Sequence, residues 1–176
     1  YIVEGYMDVI AMSRAGFERA VAPLGTALTA EQMELAWSVE PAPIIAFDGD
    51  AAGRAAAARA LEKALPLLKP GRTLAFAFLP EGQDPDDLMR EGGPAAVARA
   101  LEKPEPLAEV LWTLRTAACN LQTPDGRAAA EASLRAAVDT ISEASVRRHY
   151  QAFVRERVAA WLRFKRAPNA ANGAWR

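Results

Sequence analysis

Short apolar runs alternate with helical patterns over the first hundred residues of the chain. Each run has the length of a strand, and the residues between runs place apolar side chains three and four positions apart, as a helix requires. This alternation favours right-handed strand–helix–strand units, so we expect an α/β fold in which helices flank a parallel sheet of about four strands. The predicted strands are 1–4, 19–22, 44–48 and 73–79, and the predicted helices are 7–15, 30–39 and 52–68.

The pattern changes after Leu79, where turn-forming residues replace the alternation. Gly92 and Gly93 separate two short helical pieces, and Pro104 and Pro106 mark the end of the first domain. Beyond them, three longer helical stretches predict a small antiparallel helical subdomain. The short pieces are 86–90 and 94–102, and the longer helices are 107–118, 125–141 and 146–164. The predicted domains are an α/β domain over 1–103, a helical subdomain over 104–166 and a disordered tail over 167–176.

Carboxylates follow three of the predicted strands at the point where each strand ends. They are Glu4 after the first strand, Asp48 and Asp50 after the third, and Asp84 and Asp86 after the fourth. A 2-1-3-4 strand order would gather these side chains in the crevice where the strand order reverses. Carboxylates at one edge repel one another unless cations neutralise them, and Mg²⁺ prefers oxygen ligands of this kind. The pattern therefore predicts metal-assisted phosphoryl transfer.

A structural alternative stays open for the four aspartates. Asp48 or Asp50 could cap the helix that begins near Ala52, and Asp84 or Asp86 could cap the next one. A carboxylate at a helix start accepts hydrogen bonds from backbone N–H groups that have no partner within the helix.

Composition excludes several classes of protein. No apolar stretch of the 176-residue chain approaches the roughly 20 residues of a membrane span, and a hydrophobic content of 51% is typical of a soluble, helix-rich protein. The single cysteine, Cys119, excludes an internal disulfide and a Cys-rich zinc site, which is compatible with the reducing cytoplasm. The chain begins within an apolar run at Tyr1, so we expect it to be a piece of a larger protein.

Charge is distributed unevenly along the chain. Residues 1–103 carry ten Lys or Arg against fifteen Asp or Glu, whereas residues 104–176 carry eleven against seven. The first part is therefore suited to bind cations, and the second to face a polyanion. Basic and aromatic residues interleaved in the last helix indicate either a surface for a template strand or an amphipathic helix with solvated arginines. The arginines singled out there are Arg147, Arg148, Arg155 and Arg157.

Four motifs follow one another in the first half of the chain. They are Glu4-Gly5-Tyr6-Met7-Asp8-Val9, Leu24-Gly25-Thr26-Ala27-Leu28-Thr29, Phe47-Asp48-Gly49-Asp50 with Gly53, and Leu79-Pro80-Glu81-Gly82-Gln83-Asp84-Pro85-Asp86-Asp87-Leu88. In this order and spacing they resemble the TOPRIM region of bacterial DnaG-type primases. The resemblance covers residues 1 to about 103, and the helices beyond Pro104 resemble the segment that follows in the primase core.

The resemblance implies roles for the acidic residues. It makes Glu4, Asp48 and Asp50 catalytic, and adds Asp84 and Asp86 to the set that binds Mg²⁺, for which Mn²⁺ would substitute.

Three further positions near these acidic residues can be compared with the family pattern. Arg54 matches a position that is often basic in these primases and is a candidate for nucleic-acid binding, whereas Ala51 stands where a basic residue is common. For Asp8, in the first turn of a helix, a favourable interaction with the helix dipole is a sufficient explanation, and the alternative is a contact with the metal through water.

An activity and its partners follow from the same resemblance. Such primases are DNA-directed RNA polymerases that make short RNA primers from ribonucleoside triphosphates on single-stranded DNA, in the cytoplasm at the replication fork. They also have a zinc module, a preceding half of the catalytic core and a domain that binds the replicative helicase. None of these lies within this sequence, so we expect no zinc in it. Since no apolar stretch has the length of a membrane span, we also expect no membrane partner. We expect the isolated chain to bind metal without synthesising RNA.

Two other classes share the acidic motifs. A TOPRIM topoisomerase or nuclease would break a phosphodiester with the same metals, and a topoisomerase also needs a tyrosine nucleophile, for which only Tyr1, Tyr6 and Tyr150 are available. A non-catalytic TOPRIM scaffold would bind DNA without chemistry, and has no need of mutually repelling carboxylates.

Overall fold

The computed structural model describes residues 1–23 and 27–163. Three sequence predictions lie outside these residues: the Leu24-Gly25-Thr26 part of the second motif, the end of the last helix at residue 164, and the tail over 167–176. Among the described helices, none is both long enough and apolar enough to cross a membrane.

A central sheet joins distant parts of the chain. Strand β1 (Ile44–Phe47) pairs in parallel with β2 (Ala75–Phe78), and β2 pairs antiparallel with the short edge strand β3 (Glu105–Pro106). Ile2 extends the sheet beyond β1, since it forms parallel bridges with both β1 and Val21. The order is therefore Val21, Ile2, β1, β2, β3, which confirms the predicted 2-1-3-4 arrangement.

Two features of the sheet differ from the predicted strands. The segments 1–4 and 19–22 form single bridges instead of continuous ladders. Strand β3 was not predicted, because a two-residue segment ending in Pro106 carries no alternating pattern. Proline is tolerated there since β3 lies at the edge of the sheet, where a missing N–H donor breaks no ladder.

Seven α-helices are described, and they follow the predicted pattern closely. Thr29 caps the second helix, because its side chain accepts a hydrogen bond from the N–H of Gln32 at 3.3 Å. The fourth helix is kinked at Gly93, whose φ of 65° is in the left-handed region, and this matches the predicted break. The helices are α1 (Tyr6–Arg14), α2 (Ala30–Val39), α3 (Ala51–Ala64), α4 (Pro85–Ala100), α5 (Leu107–Thr116), α6 (Pro124–Asp139) and α7 (Ala144–Arg163).

Apolar cores lie on both faces of the sheet, because successive side chains of a strand point to opposite faces. Ile45 and Phe47 pack on the face that α3 covers. Ala46, between them, packs on the other face with Met12 of α1 and Leu88 of α4. The α/β fold class, with helices flanking the sheet, is confirmed.

The helices beyond the predicted boundary share the first of these cores. Leu107 of α5, Leu134 of α6 and Val154 of α7 are buried in the same cluster as the strand residues. The N–H of Leu107 also donates to the carbonyl of Leu74 at 3.1 Å, next to the start of β2. The apolar core is thus continuous from the sheet to α7, and the division at residues 103 and 104 stays a prediction.

Candidate active site

The sheet brings the predicted acidic residues to one edge. Glu4 lies two residues after the Ile2 bridge, and Asp48 directly follows β1. Asp84 follows the loop after β2 and is the first residue of the turn that starts α4. Because these segments run in parallel, their carboxyl ends meet. We call Glu4, Asp48, Asp50, Asp84 and Asp86 the acidic edge.

Asp48 is the carboxylate most affected by this crowding. Burial raises its pKa to about 6, and the charges of Glu4, Asp8, Asp84 and Asp50 add to the increase. Glu4 behaves similarly, since burial raises its pKa, and Asp8 and Asp50 raise it further. The carboxylates of three chain segments therefore lie within one another's electrostatic field, as the strand order requires.

Two glycines allow the chain to pack closely at this edge. A Cβ atom on Gly49 would stand 2.0 Å from the carbonyl oxygen of Leu79, so the turn after β1 could not lie against the loop after β2. A Cβ atom on Gly53 would stand 2.0 Å from the carbonyl oxygen of Asp48. Gly49 therefore allows the turn after β1 to lie against the loop after β2, and Gly53 allows the first turn of α3 to pack directly on the end of β1.

The capping alternative holds for two of the four aspartates. Asp50 Oδ1 accepts a hydrogen bond from the N–H of Gly53 at 2.7 Å and caps α3. Asp84 Oδ1 accepts one from the N–H of Asp87, also at 2.7 Å, and caps α4. Each cap uses one carboxylate oxygen, so the second oxygen stays available for a cation. Asp86 lies in the first turn of α4.

Asp48 has no such structural role. Its side chain accepts no hydrogen bond and forms no ion pair within residues 1–23 and 27–163, and Glu4 is alike in this respect. Crowded carboxylates without a partner suit a hard divalent cation, so the donor set fits magnesium or manganese. As placed, however, no three acidic, histidine or cysteine side chains of the described residues are close enough to hold one ion. The acidic edge is thus a cluster of carboxylates that does not by itself form a complete metal coordination shell.

Asp8 belongs to the same electrostatic field. It is buried, and its Oδ2 accepts a hydrogen bond from the N–H of Gly5 at 2.8 Å. Burial raises its pKa, the bond from Gly5 lowers it, and Asp84, Asp86 and Asp87 raise it. The helix dipole alone does not describe this residue, because Asp8 holds the turn after Glu4 and faces the start of α4. Its spacing of four from Glu4 was the available signal.

One basic residue near the acidic edge was missed. Arg59, in the middle of α3, lies close enough to Glu4 to lower the pKa of that carboxyl. Arg54, which the resemblance singled out, is exposed near the start of α3.

The arginines of the last helix separate into two groups. Arg147 donates to the carbonyl of Ile141 at 2.7 Å, in the turn between α6 and α7. Arg157 pairs with Glu109 and lies over the rings of Trp112 and Phe153, with the guanidinium carbon 5.2 and 4.6 Å from the ring centres. Both guanidinium groups are therefore engaged within the protein.

Arg148 and Arg155 form the second group. They are exposed, and their spacing of seven residues places them on one face of α7. Among the described residues, neither has an ion-pair partner.

The family of the chain follows from comparison with known proteins. Residues 1–76 match the family described as "Toprim domain". The DNA primase of Escherichia coli K12 is 47% identical over 127 residues, which are 72% of this chain and 22% of that protein. The chain belongs to the DnaG-type primases. The DNA primase of Rickettsia bellii is 33% identical over 157 residues, which are 89% of this chain and 26% of the relative. The chain thus spans about a quarter or less of the primases that it matches.

A solved primase structure shares the fold. The E. coli primase catalytic core superposes with a TM-score of 0.79 at 39% identity, over 92% of this chain and 50% of that one. The match extends beyond residue 103, so the helices after the predicted boundary belong to the primase core as well.

Proposed function

We propose that this chain is the part of a bacterial primase catalytic core that binds divalent metal and carries out nucleotidyl transfer during RNA primer synthesis. The 3′-hydroxyl of the growing RNA attacks the α-phosphate of a ribonucleoside triphosphate, and pyrophosphate leaves. The observation that carries the proposal is the acidic edge, where Asp48 is crowded enough by burial and by neighbouring carboxylates for its pKa to reach about 6. The primase relatives supply the reaction class.

The acidic edge supplies the oxygen ligands for this reaction. These carboxylates would hold a Mg²⁺ ion, for which Mn²⁺ would substitute, and such an ion would lower the pKa of the attacking hydroxyl and stabilise the charge on the leaving group. Glu4 and Asp48 offer both carboxylate oxygens. Asp50 and Asp84 each offer the one that the helix cap leaves over. Asp86 adds a further carboxylate from the first turn of α4, and the catalytic residues are Glu4, Asp48 and Asp50.

Of the three tyrosines, Tyr150 fits the role of a topoisomerase nucleophile poorly. Burial raises the pKa of Tyr150 to about 12, against the opposing effect of its hydrogen bond with Thr73, and the side chain packs against the core. A partly buried phenol that resists ionisation is a poor nucleophile.

Primer synthesis by the intact primase tests the proposal. Asp48→Ala and Asp50→Ala, each made in the full-length protein, are expected to reduce RNA synthesis on single-stranded DNA about 100-fold or more, as loss of a group that stabilises transition-state charge does. Glu102→Ala removes an exposed carboxylate from the turn after α4 and serves as the matched control. Activity at the parental level in both aspartate variants would show that the edge is not the catalytic centre.

We further propose that the single-stranded DNA template contacts Arg148 and Arg155 on α7, and Arg54 near the acidic edge. A relative's structure is described as the DnaG primase catalytic domain bound to ssDNA; it has a TM-score of 0.79 and 38% identity over 90% of this chain and 50% of its own. The exposed guanidinium groups are free to meet backbone phosphates. Template, ribonucleotides and RNA primer bind this part of the enzyme in the cytoplasm, while the replicative helicase binds through a domain outside this sequence.

Salt-dependent binding tests the α7 surface. Replacing both Arg148 and Arg155 with Ala removes two phosphate contacts, so the affinity for single-stranded DNA is expected to fall and the slope of log affinity against log salt to become shallower by about 1.4. Arg99→Ala with Lys103→Ala removes the same charge near the end of α4. An unchanged slope in the α7 variant would show that the arginines are only solvated.

A further inference from the structure

A cavity lies beside Glu4 on the α3 face of the sheet. Its volume is about 340 Å³, within the range of small-molecule sites. Ile2 and Ile45 line it from the strands, and Ala56 and Ala60 line it from α3. Because an alanine side chain is a single methyl group, α3 leaves space here that longer side chains would fill.

Positive charge borders this cavity. Arg59 and Lys63 both line it, and their spacing of four places them on one face of α3. The Lys63 ammonium donates to the carbonyl of Leu28 at 3.0 Å, which holds the charge at the cavity wall. Arg59 is exposed and forms neither a hydrogen bond nor an ion pair with the residues that the structure describes. Two cations therefore face a single carboxylate, that of Glu4, among the lining residues.

The two positive charges at the cavity favour an anionic ligand, and the position of Glu4 allows such a ligand to extend to the acidic edge. A planar guanidinium group can donate two parallel hydrogen bonds to the oxygens of one phosphate, and an ammonium group attracts them as a point charge. The apolar lining offers no partner for a charged group inside the cavity, so phosphates would lie along its rim at Arg59 and Lys63. Glu4 belongs to both the rim and the acidic edge, which makes the two sites continuous.

We propose that Arg59 and Lys63 form a phosphate-binding subsite beside Glu4, which takes the terminal phosphates of a nucleoside triphosphate. The inference rests on the proposed function, because a triphosphate whose α-phosphate reacts at the acidic edge must place its other phosphates nearby. Cations there favour the departing pyrophosphate, whereas carboxylates alone would repel it.

Binding of inorganic tripolyphosphate to this chain, measured by calorimetry in EDTA, tests the subsite without any contribution from metal. Arg59→Gln with Lys63→Gln is expected to weaken binding about tenfold or more, since charge-assisted hydrogen bonds are lost. Arg59→Lys keeps the charge and is expected to retain most of the affinity. Arg99→Gln with Lys103→Gln removes equal charge elsewhere and should leave binding unchanged. Thermal unfolding of each variant shows that it is folded.

Three results would overturn the proposal: no tripolyphosphate binding by the parent chain, equal binding by the parent and the Arg59/Lys63 variant, or equal loss in the control variant. A parallel titration with a short single-stranded DNA distinguishes a strand backbone from a nucleotide. If the Arg59/Lys63 variant loses DNA affinity but keeps tripolyphosphate affinity, the cations serve the strand and the proposal is wrong. Failure of the proposed function would appear separately, as absence of Mn²⁺ binding.

Discussion

Replacing Asp48 with Asn should stabilise the metal-free protein at pH 8. The carboxylate is held near other carboxylates and is partly buried, so its negative charge is disfavoured in the folded state. Asn keeps the shape and removes the charge. Within the described residues, the Asp48 carboxylate makes no hydrogen bond that the change would break. A gain in stability from mutating a catalytic residue is the expected signature of a site whose charges are arranged for a ligand.

The magnitude follows from the pKa of Asp48. A folded-state value of about 6 against an ordinary value of 3.8 corresponds to about 3 kcal/mol, at roughly 1.4 kcal/mol per pH unit. Because Asp48 is only partly buried, solvent screening reduces this to about 1 kcal/mol. The raised pKa means that the folded state binds the proton more tightly. The stabilising effect of the proton is therefore complete below about pH 3.8 and is lost as the pH rises through about 6.

Urea unfolding of the parent chain and of Asp48→Asn, in EDTA at pH 8 and pH 4, measures the effect. At pH 8 the variant is expected to be about 1 kcal/mol more stable, or roughly 2–4 °C higher in Tm, and at pH 4 the difference should nearly vanish. Glu102→Gln, an exposed carboxylate outside the edge, is the control and should change stability by less than about 0.5 kcal/mol at either pH. A variant that is less stable than the parent at pH 8 would refute the reasoning.

Two further substitutions test the packing around the site. Gly53→Ala places a Cβ atom against the carbonyl of Asp48 and is expected to cost about 1–3 kcal/mol by denaturant unfolding, although alanine normally favours a helix. Arg157→Ala loses the ion pair with Glu109 and the contact over Trp112, so it should lower the free energy of unfolding by about 1 kcal/mol.

Each of these two substitutions has a control variant of the same type. Gly16→Ala meets no atom within 4 Å, so its cost should be limited to about 1 kcal/mol from a φ of 93°, and metal binding should be unchanged. Arg155→Ala, on the exposed face of α7, should change stability by less than about 0.5 kcal/mol. If Gly53→Ala is as stable as the parent, or Arg155→Ala is as destabilising as Arg157→Ala, the packing described around these residues is wrong.

Sequence patterns were sufficient for the elements that carry local signals. β1 and β2 are apolar runs that end before acidic turns, and Thr29 with Gln32 is a capping pair of fixed spacing. The strand order could be predicted because Glu4 lies beside Asp48 only if the first and third predicted strands are neighbours, and the 2-1-3-4 order meets this condition at a switch point. These features depend on residues that are close in sequence or on a topological rule.

The features that were missed depend on contacts between distant residues. Strand β3 exists because β2 offers a free edge, and Glu105–Pro106 shows no pattern of its own. Arg157 resembles a solvated basic residue until its partner Glu109, on a different helix, is known. Arg59 joins the site through the packing of α3 on the sheet, which spacing along the chain does not show.

Calorimetric titration of this chain with Mn²⁺ at pH 7.5 tests the central claim most directly. The parent is expected to bind, whereas Asp48→Asn with Asp50→Asn should not, because the double variant loses two carboxylates of the edge. Arg148→Ala, remote from the edge, should bind as the parent does. Absence of binding in the parent, or equal binding in the double variant, would contradict the claim that the acidic edge is a metal centre.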